Sequence, residues 1–141
     1  MDVLTRAIRA EIEERRARNP GRPDRELLEH VLVALQREVD RVEFDASLAT
    51  YLQAVLAATR STPTLSLGAS PRAGMNLARA ARGRAVLHGR SYCIADDIHD
   101  LAVPVLAHRV RLAAQAEGYV PSRDECETTV RDLVARVPVP L

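Results

Sequence analysis

Aromatic side chains are almost absent from this sequence. Its 141 residues include one Phe, three Tyr and no Trp, although 47% of the residues are hydrophobic. A core must therefore be built from Leu, Val, Ile and Ala, which suit packed helices better than a β-sandwich. The length fits one domain with one core. We expect an all-α fold, a small helical bundle that has room for one very short β-hairpin.

The chain contains no lysine, so all 20 of its basic residues are arginine. The phosphate-binding P-loop ends in Gly-Lys-Ser/Thr, and a chain without lysine cannot supply that motif. We therefore expect that the chain is not an enzyme on its own. The 19 acidic residues leave a formal net charge of +1, which indicates neither a nucleic acid nor a membrane as a partner.

The remaining general features predict a cytoplasmic protein. The amino-terminal stretch MDVLTRAIRAEIEERR has no apolar signal region, and no apolar run is long enough to span a bilayer. Cys93 and Cys126 are too few for a disulfide framework or a thiolate zinc site, so we expect free thiols. We predict no metal site, because metal-ligand spacing is not found among the histidines, which are His30, His88, His99 and His108.

Apolar residues at three- and four-residue spacing predict helices along most of the chain. The first runs from Val3 to about Arg18. The second begins near Asp24, an N-cap candidate, and its inward positions are Leu27, Leu28, Val31, Leu32, Leu35 and Val39. Asp45 is predicted to cap the third, which extends to Arg60. A short strand at residues 65–67 is a candidate to pair with residues 110–112.

Three further helices follow. The fourth is predicted from Pro71 to about His88, ended by Gly89 in a left-handed conformation, with Met75 and Leu87 beside an alanine-rich packing face. The fifth covers residues 96–102, and we expect Pro104 to interrupt or kink it. In the last helix a Ser-x-x-Glu capping box at residues 122–125 marks the start, and the proline at position 138 marks the end.

The stretch LGASPRAG, residues 67–74, places a cation where a helix repels it. Ser70 is the predicted N-cap and Pro71 the first helical residue, so Arg72 occupies the second helical position. The amides and dipole of a helix N-terminus are positive, and a cation there costs about 0.3–1 kcal/mol. Two explanations remain open. Arg72 pairs with a surface acid, or it binds a phosphate group that comes from outside this domain.

Other charged residues have simpler interpretations. Four arginines make the fourth helix basic, and we interpret them as a solvated face that pairs with acids of neighbouring helices: Arg79, Arg82, Arg84 and Arg90. The alternative, a nucleic-acid surface, is less favoured because aromatic residues for base stacking are not interleaved with them. His99, Asp96 and Asp97 are interpreted as a solvated first turn of the fifth helix.

Residues Leu67–Leu112 carry the motifs G-A-S-P-R, G-R-x-Y, D-D and V-L-x-H-R in this order. This combination closely resembles the C-terminal lid of MoxR-family AAA+ ATPases. The preceding VEFDASLATYLQAVLAATR is similar to the entry helix of such lids, and VPVP near the C-terminus is similar to their usual close. The resemblance divides the chain into an N-terminal helix or linker, residues 1–26, and a lid domain, residues 27–141.

The resemblance implies a function for the Arg72 region. Arg72 corresponds to the sensor 2 arginine, a catalytic residue that reaches the γ-phosphate of ATP on a P-loop core outside this chain. It also implies that Gly68, Ser70 and Arg72 contact the nucleotide. ATP and Mg²⁺ are then cofactors of the full-length parent, with none in the isolated domain. The implied partners are the core subdomain, the neighbouring subunits of a ring and a von Willebrand A-domain protein, and the implied activity is chaperone-like remodelling.

Two points qualify this interpretation. Such lids usually have Thr-Pro before the paired aspartates, whereas this chain has Ile94 and Ala95, so we expect the fifth helix to lose its cap and fray. The alternative function is a free-standing helical protein-interaction module without ATPase activity.

Overall fold

The structure is a computed structural model that describes residues 24–113 and 121–140, together with residues 10, 12–14 and 17–18. Residues 24–113 and 121–140 form five α-helices and one two-stranded sheet, which confirms the all-α prediction and its short hairpin. The first predicted helix lies mostly outside the described residues, and its described positions are helical.

The bounds of the elements are as follows. The helices are α1 (Asp24–Arg41), α2 (Ala46–Ser61), α3 (Pro71–Leu87), α4 (Ala95–Leu106) and α5 (Arg123–Ala135). The strands are β1 (Leu65–Leu67) and β2 (Arg111–Leu112), and a 3₁₀ turn covers Ala107–Arg109. Within these described residues no helix is both long enough and apolar enough to cross a membrane.

Polar side chains cap α2 and α5 at the predicted positions, whereas Asp24, predicted as an N-cap, is the first residue of α1. Asp45 accepts hydrogen bonds from the backbone amides of Ser47 and Leu48 at the start of α2. At the start of α5 the Ser122 hydroxyl accepts from the Glu125 amide at 3.2 Å, and the Glu125 carboxylate accepts from the Ser122 amide at 2.8 Å. These bonds satisfy amides that would otherwise lack an intrahelical partner.

Helix α3 runs through the centre of the core. Its wholly buried positions repeat every four residues, at Ala73, Leu77, Ala81 and Ala85. The three alanines leave space for a neighbouring helix to approach closely, and α4 packs there with Ile98, Ala102 and Leu106 also wholly buried. Helices α2 and α5 close the core with Val55, Val130 and other aliphatic side chains. A core of small and aliphatic residues is what the scarcity of aromatic residues predicted.

Two backbone pairings tie the connections together. Strands β1 and β2 pair with each other, as predicted, and they are antiparallel with Leu65 opposite Leu112 and Leu67 opposite Arg111. The second pairing was not predicted. Glu43 lies beside the α3–α4 connection, where its amide donates to the Ser91 carbonyl at 2.9 Å and its carbonyl accepts from the Cys93 amide at 3.0 Å. The turn before this bridge contains Gly89 with φ 72°, which confirms the predicted left-handed residue.

The prediction that α4 ends near residue 102 was wrong, because the helix continues through Pro104 to Leu106. The φ angle of proline is compatible with a helix, and the cost is one lost backbone hydrogen bond and crowding of the preceding turn. Burial of Leu106 and partial burial of Val103 and Val105 in the core offset that cost.

Several apolar residues predicted to pack inward are exposed. Leu32 on α1 is 57% exposed, and Met75 and Leu87 on α3 are 72% and 71% exposed. In the described part of the chain, helix α1 packs mainly against α3, so only part of its surface meets the bundle. The alternation of apolar positions on α1 therefore overstated how firmly it packs. The side chains of Leu27 and Leu28 lie outside the described residues.

Candidate functional site

The candidate site is the N-terminus of α3. Ser70 has extended backbone angles and its hydroxyl accepts a hydrogen bond from the Ala73 amide at 3.2 Å, so it is the N-cap. Pro71 is the first helical residue, and Arg72 is the second. The local sequence accounts for this start, since serine at the cap and proline at the first position are both favoured there.

The turn that leads into α3 is fastened to the end of α2. Ala69 is wholly buried, and its amide donates to the Thr59 hydroxyl at 3.0 Å, while its carbonyl accepts from the Arg60 Nε at 2.8 Å. The Thr59 hydroxyl in turn donates to the Leu56 carbonyl at 2.7 Å. With both backbone groups of Ala69 bound, the start of α3 is held in one position relative to α2.

Two glycines allow this close approach. A Cβ at Gly68 would lie 2.5 Å from the Thr59 carbonyl oxygen, and a Cβ at Gly74 would lie 2.4 Å from Leu56 Cδ1. Gly68, which the resemblance placed at the nucleotide, thus packs directly on the backbone of α2. Its contact with a nucleotide stays a prediction.

The Thr59 and Arg60 contacts were not predicted from the sequence. Thr59 falls on the apolar repeat of α2, three residues after Leu56, and a hydroxyl at a core position was the one available signal. A buried hydroxyl must find partners, so a polar residue on an apolar helix face often marks such an anchor.

Arg72 is exposed, and its side chain makes no hydrogen bond or ion pair with any residue that the structure describes. The sequence left two explanations open for this residue, and a surface acid that neutralises it is not found within the described residues. Within the described residues its guanidinium is therefore a cation without a counter-charge, beside the amides of a helix N-terminus. Donors of both kinds at one place suit an anion with several oxygens, such as a phosphate.

Of the four arginines predicted to pair with acids of neighbouring helices, Arg84 and Arg90 do so, and no acidic partner is found for Arg79 or Arg82 among the described residues. Arg84 pairs with Asp100 at 2.5 Å, and Arg90 binds Asp97 with two hydrogen bonds of 2.7 and 2.8 Å. These contacts confirm the interpretation that Arg84 and Arg90 pair with acids of a neighbouring helix. Arg82 instead lies over the Phe44 ring at 5.1 Å and donates to the Val42 carbonyl at 3.3 Å.

Asp97 was predicted to be solvated, and this was wrong, because its side chain is 1% exposed. Burial alone would raise the pKa of this carboxyl, but hydrogen bonds from Arg90 and from the Ile94 amide, with the charges of Arg90 and Arg84, lower it overall. The Ile94 amide donates to Asp97 at 2.9 Å. Ile94 itself provides no side-chain cap, as predicted, but Asp97 satisfies its amide from inside the helix.

Metal-ligating and thiol groups do not form a second site in the described part of the chain. His, Cys, Asp and Glu side chains do not gather there in any group of three that could hold a metal ion. Cys93 and Cys126 are both free thiols, and burial raises the pKa of Cys93 to about 11, so this thiol is un-ionised at neutral pH.

Known proteins are similar to this chain over the same region. The family model of the AAA lid domain matches residues 57–130. The chain is 40% identical over 111 residues to the uncharacterized protein YeaC of Bacillus subtilis, which covers 77% of this chain and 33% of that protein. It is 38% identical over 74 residues to protein MoxR of Paracoccus denitrificans, covering 52% of this chain and 21% of that protein. Over 79 residues it is 35% identical to chaperone MoxR1 of Mycobacterium tuberculosis, covering 50% and 21%.

A solved structure shares the fold. The crystal structure at 2.00 Å resolution of a Cytophaga hutchinsonii protein assigned as an ATPase superposes with a TM-score of 0.66 at 24% identity, covering 82% of this chain and 36% of that protein. The chain thus spans about a third or less of the length of these relatives. Because the family match covers just over half of the 141 residues and includes the α3 N-terminus, the chain belongs to the AAA lid domain family, as a lid of the MoxR-family AAA+ ATPases.

Proposed function

We propose that this lid closes over ATP held by a P-loop core outside the chain and that Arg72 is its sensor 2 residue, the one that binds the γ-phosphate. One observation carries the proposal: Arg72 is exposed at a helix N-terminus and unpaired among the described residues. The described residues offer Arg72 no side-chain partner that would offset the repulsion between its charge and the helix dipole. A phosphate at this helix N-terminus would be bound by the Arg72 guanidinium and by the first backbone amides of α3 together.

The anchored turn supports this role. Thr59 and Arg60 hold both backbone groups of Ala69, and Ser70 caps the helix, so the Cα of Arg72 is placed by rigid contacts rather than by a loose loop. A guanidinium that is positioned in advance stabilises developing charge without reorganising at the moment of reaction. In this proposal Gly68 and Ser70 position Arg72. By the resemblance, both residues also contact the nucleotide.

The cofactor and the partners follow from the proposed activity. Bound ATP would supply the transferable phosphoryl group and Mg²⁺ would sit on the absent core, while this chain contributes Arg72 and the movement of the lid. The partners would be the core subdomain and neighbouring subunits of a ring. A relative named chaperone MoxR1 supports a chaperone-like remodelling activity, and we extend this to a von Willebrand A-domain partner and a cytoplasmic location.

The test is Arg72→Ala in the full-length parent protein, with ATP turnover and ATP affinity both measured. Loss of one donor to a developing charge lowers kcat by about 10²-fold or more. Arg72→Lys should recover part of the rate, since it keeps the charge and loses the forked geometry. Arg131→Ala on α5 is the control, because this exposed arginine lies on a different helix from the site.

A stability measurement separates this role from a structural one. Because Arg72 has no partner in the described structure, Arg72→Ala in the 141-residue chain should leave stability unchanged or raise it by about 0.3–1 kcal/mol. A clear loss of stability would assign Arg72 a structural contact. Wild-type turnover and affinity in the full-length variant would contradict the proposal outright.

A further inference from the structure

A groove lies beside the candidate site, between α1, α3, α4 and the 3₁₀ turn. Its volume is about 470 Å³. Val39, Ala80 and Val105 give it a half-buried aliphatic floor, and Arg79, His108 and Arg109 stand exposed at its rim. Among the described residues that line it, none is acidic.

Arg109 is fixed in place by neutral groups. Its Nε donates to His108 Nε2 at 3.1 Å, a hydrogen bond that needs an unprotonated nitrogen at that position. Its two terminal nitrogens donate to the Asn76 amide oxygen at 3.2 and 3.3 Å, with the amide turned so that its oxygen faces them. The guanidinium is thus oriented without being neutralised, in contrast to Arg90, which Asp97 neutralises. An oriented cation binds an anion with less loss of side-chain freedom.

Arg79 adds a second uncompensated charge on the same rim. It forms no ion pair with any carboxylate in the described ranges, although Arg84, further along α3, pairs with Asp100. The positive rim is therefore not balanced from within this part of the molecule. Charge complementarity calls for an acidic occupant.

Gly83 leaves open space on the floor of the groove. A Cβ at Gly83 would meet no atom within 4 Å, whereas at Gly68 and Gly74 a Cβ would collide with α2. Glycine inside a helix is destabilising relative to alanine, and internal packing gives no reason for it here. Its missing side chain leaves the aliphatic floor of the groove open to a side chain from outside.

We propose that this groove binds an acidic segment of another protein chain, with an apolar side chain over Gly83 and carboxylates on Arg79 and Arg109. A phosphate group would use the cations but would leave the aliphatic floor unused, so the observations favour a peptide. The inference does not depend on the role of Arg72, because neither the groove nor its rim includes that residue.

The test is an NMR titration of the ¹⁵N-labelled 141-residue protein with the capped tripeptide Glu-Leu-Glu. We expect saturable shifts of the α3 amides from Asn76 to Gly83 at peptide concentrations up to about 10 mM, the affinity range of a few weak contacts. Arg109→Ala should weaken binding about fivefold through loss of one ion pair. Gly83→Leu should abolish it while both rim arginines remain. Arg131→Ala should leave it unchanged.

Other results would overturn the proposal. These are the absence of saturable shifts, equal binding of the capped tripeptide Lys-Leu-Lys, or wild-type binding in Gly83→Leu. Inorganic triphosphate that shifts the Gly83 amide at lower concentration than the peptide, and does so equally in Arg72→Ala, would assign the groove to phosphate instead. Retention of the wild-type amide pattern in each variant shows that the fold is intact.

Discussion

Asp97 is where a change of one side-chain group should cost this fold most. Its carboxylate accepts from both terminal nitrogens of Arg90 at 2.7 and 2.8 Å and from the Ile94 amide at 2.9 Å, and Arg84 Nε lies 3.5 Å away. These contacts join the end of α3 to the start of α4. The perturbation is Asp97→Asn, which keeps the shape and removes the charge.

The expected loss of unfolding free energy depends on which partners Arg90 keeps in the Asp97→Asn variant. Asparagine offers one oxygen and turns an NH₂ group toward the donors of Arg90, so at least one charge-assisted bond is lost at about 1.5–3 kcal/mol. Breaking a buried ion pair costs about 3–5 kcal/mol when the remaining charge is stranded. Arg90 is 20% exposed and also donates to the Tyr92 carbonyl at 3.0 Å, so it is not fully stranded. We expect the free energy of unfolding to fall by about 3 kcal/mol.

Urea unfolding of the 141-residue protein at pH 7, followed by circular dichroism, measures this change. The control is Asp100→Asn, which also removes a carboxylate that pairs with Arg84 but lies 48% exposed. Its loss should cost no more than about 1 kcal/mol, as for other surface ion pairs. Equal costs for the two variants would refute the reasoning that burial sets the value of the Asp97 cluster.

The pH dependence gives a second readout. The pKa of Asp97 is lower in the folded protein than its ordinary value of 3.8, so its contribution is fully present above that value. It is lost as the pH falls through the lower folded pKa, because the protonated acid no longer binds Arg90 as a charge. The stability difference between wild type and Asp97→Asn should therefore hold at neutral pH and shrink below about pH 4. A difference that grows on acidification would contradict this sign.

Two further predictions use the same unfolding assay. Gly68→Ala should lower the free energy of unfolding by about 1–3 kcal/mol, because the new Cβ would meet the Thr59 carbonyl oxygen at 2.5 Å. Gly83→Ala should raise the free energy of unfolding by about 0.5–1 kcal/mol, because no atom lies within 4 Å of the new Cβ. A change of the same sign for both variants would contradict the packing argument. Tyr51→Phe should leave stability unchanged or raise it by about 1 kcal/mol, because the buried Tyr51 hydroxyl has no hydrogen-bond partner in the described structure, and a large loss would reveal such a partner.

Much of the fold could be predicted from local patterns. The caps at Asp45, Ser70 and Ser122, the left-handed Gly89 and the pairing of the two short strands all depend on residues close in sequence or on simple alternation. A helix begins where a side chain can accept hydrogen bonds from the first backbone amides, and the capping residue and those amides lie within four residues of each other. The position of Arg72 at the second residue of α3 belongs to this class.

The environment of each charged or apolar side chain could not be predicted in the same way. Asp97 and Asp100 are three residues apart on α4, yet one is buried and the other half-exposed. Leu32 lies on an apolar repeat but faces away from the bundle. Periodicity shows that a helix has an apolar face, but not how much of that face a neighbouring helix covers.

The sequence by itself determined where most of the described helices begin, the caps at Asp45, Ser70 and Ser122, and the position of Arg72 at the second residue of α3, because these follow from contacts within one or two turns. Only the tertiary structure decided that Thr59 and Arg60 fix the turn before Arg72, that Asn76 orients Arg109, and that Asp97 is buried between two arginines. Each of these joins residues from different elements, and their distances depend on how the helices pack. Packing is set by the whole core, so no local pattern carries it.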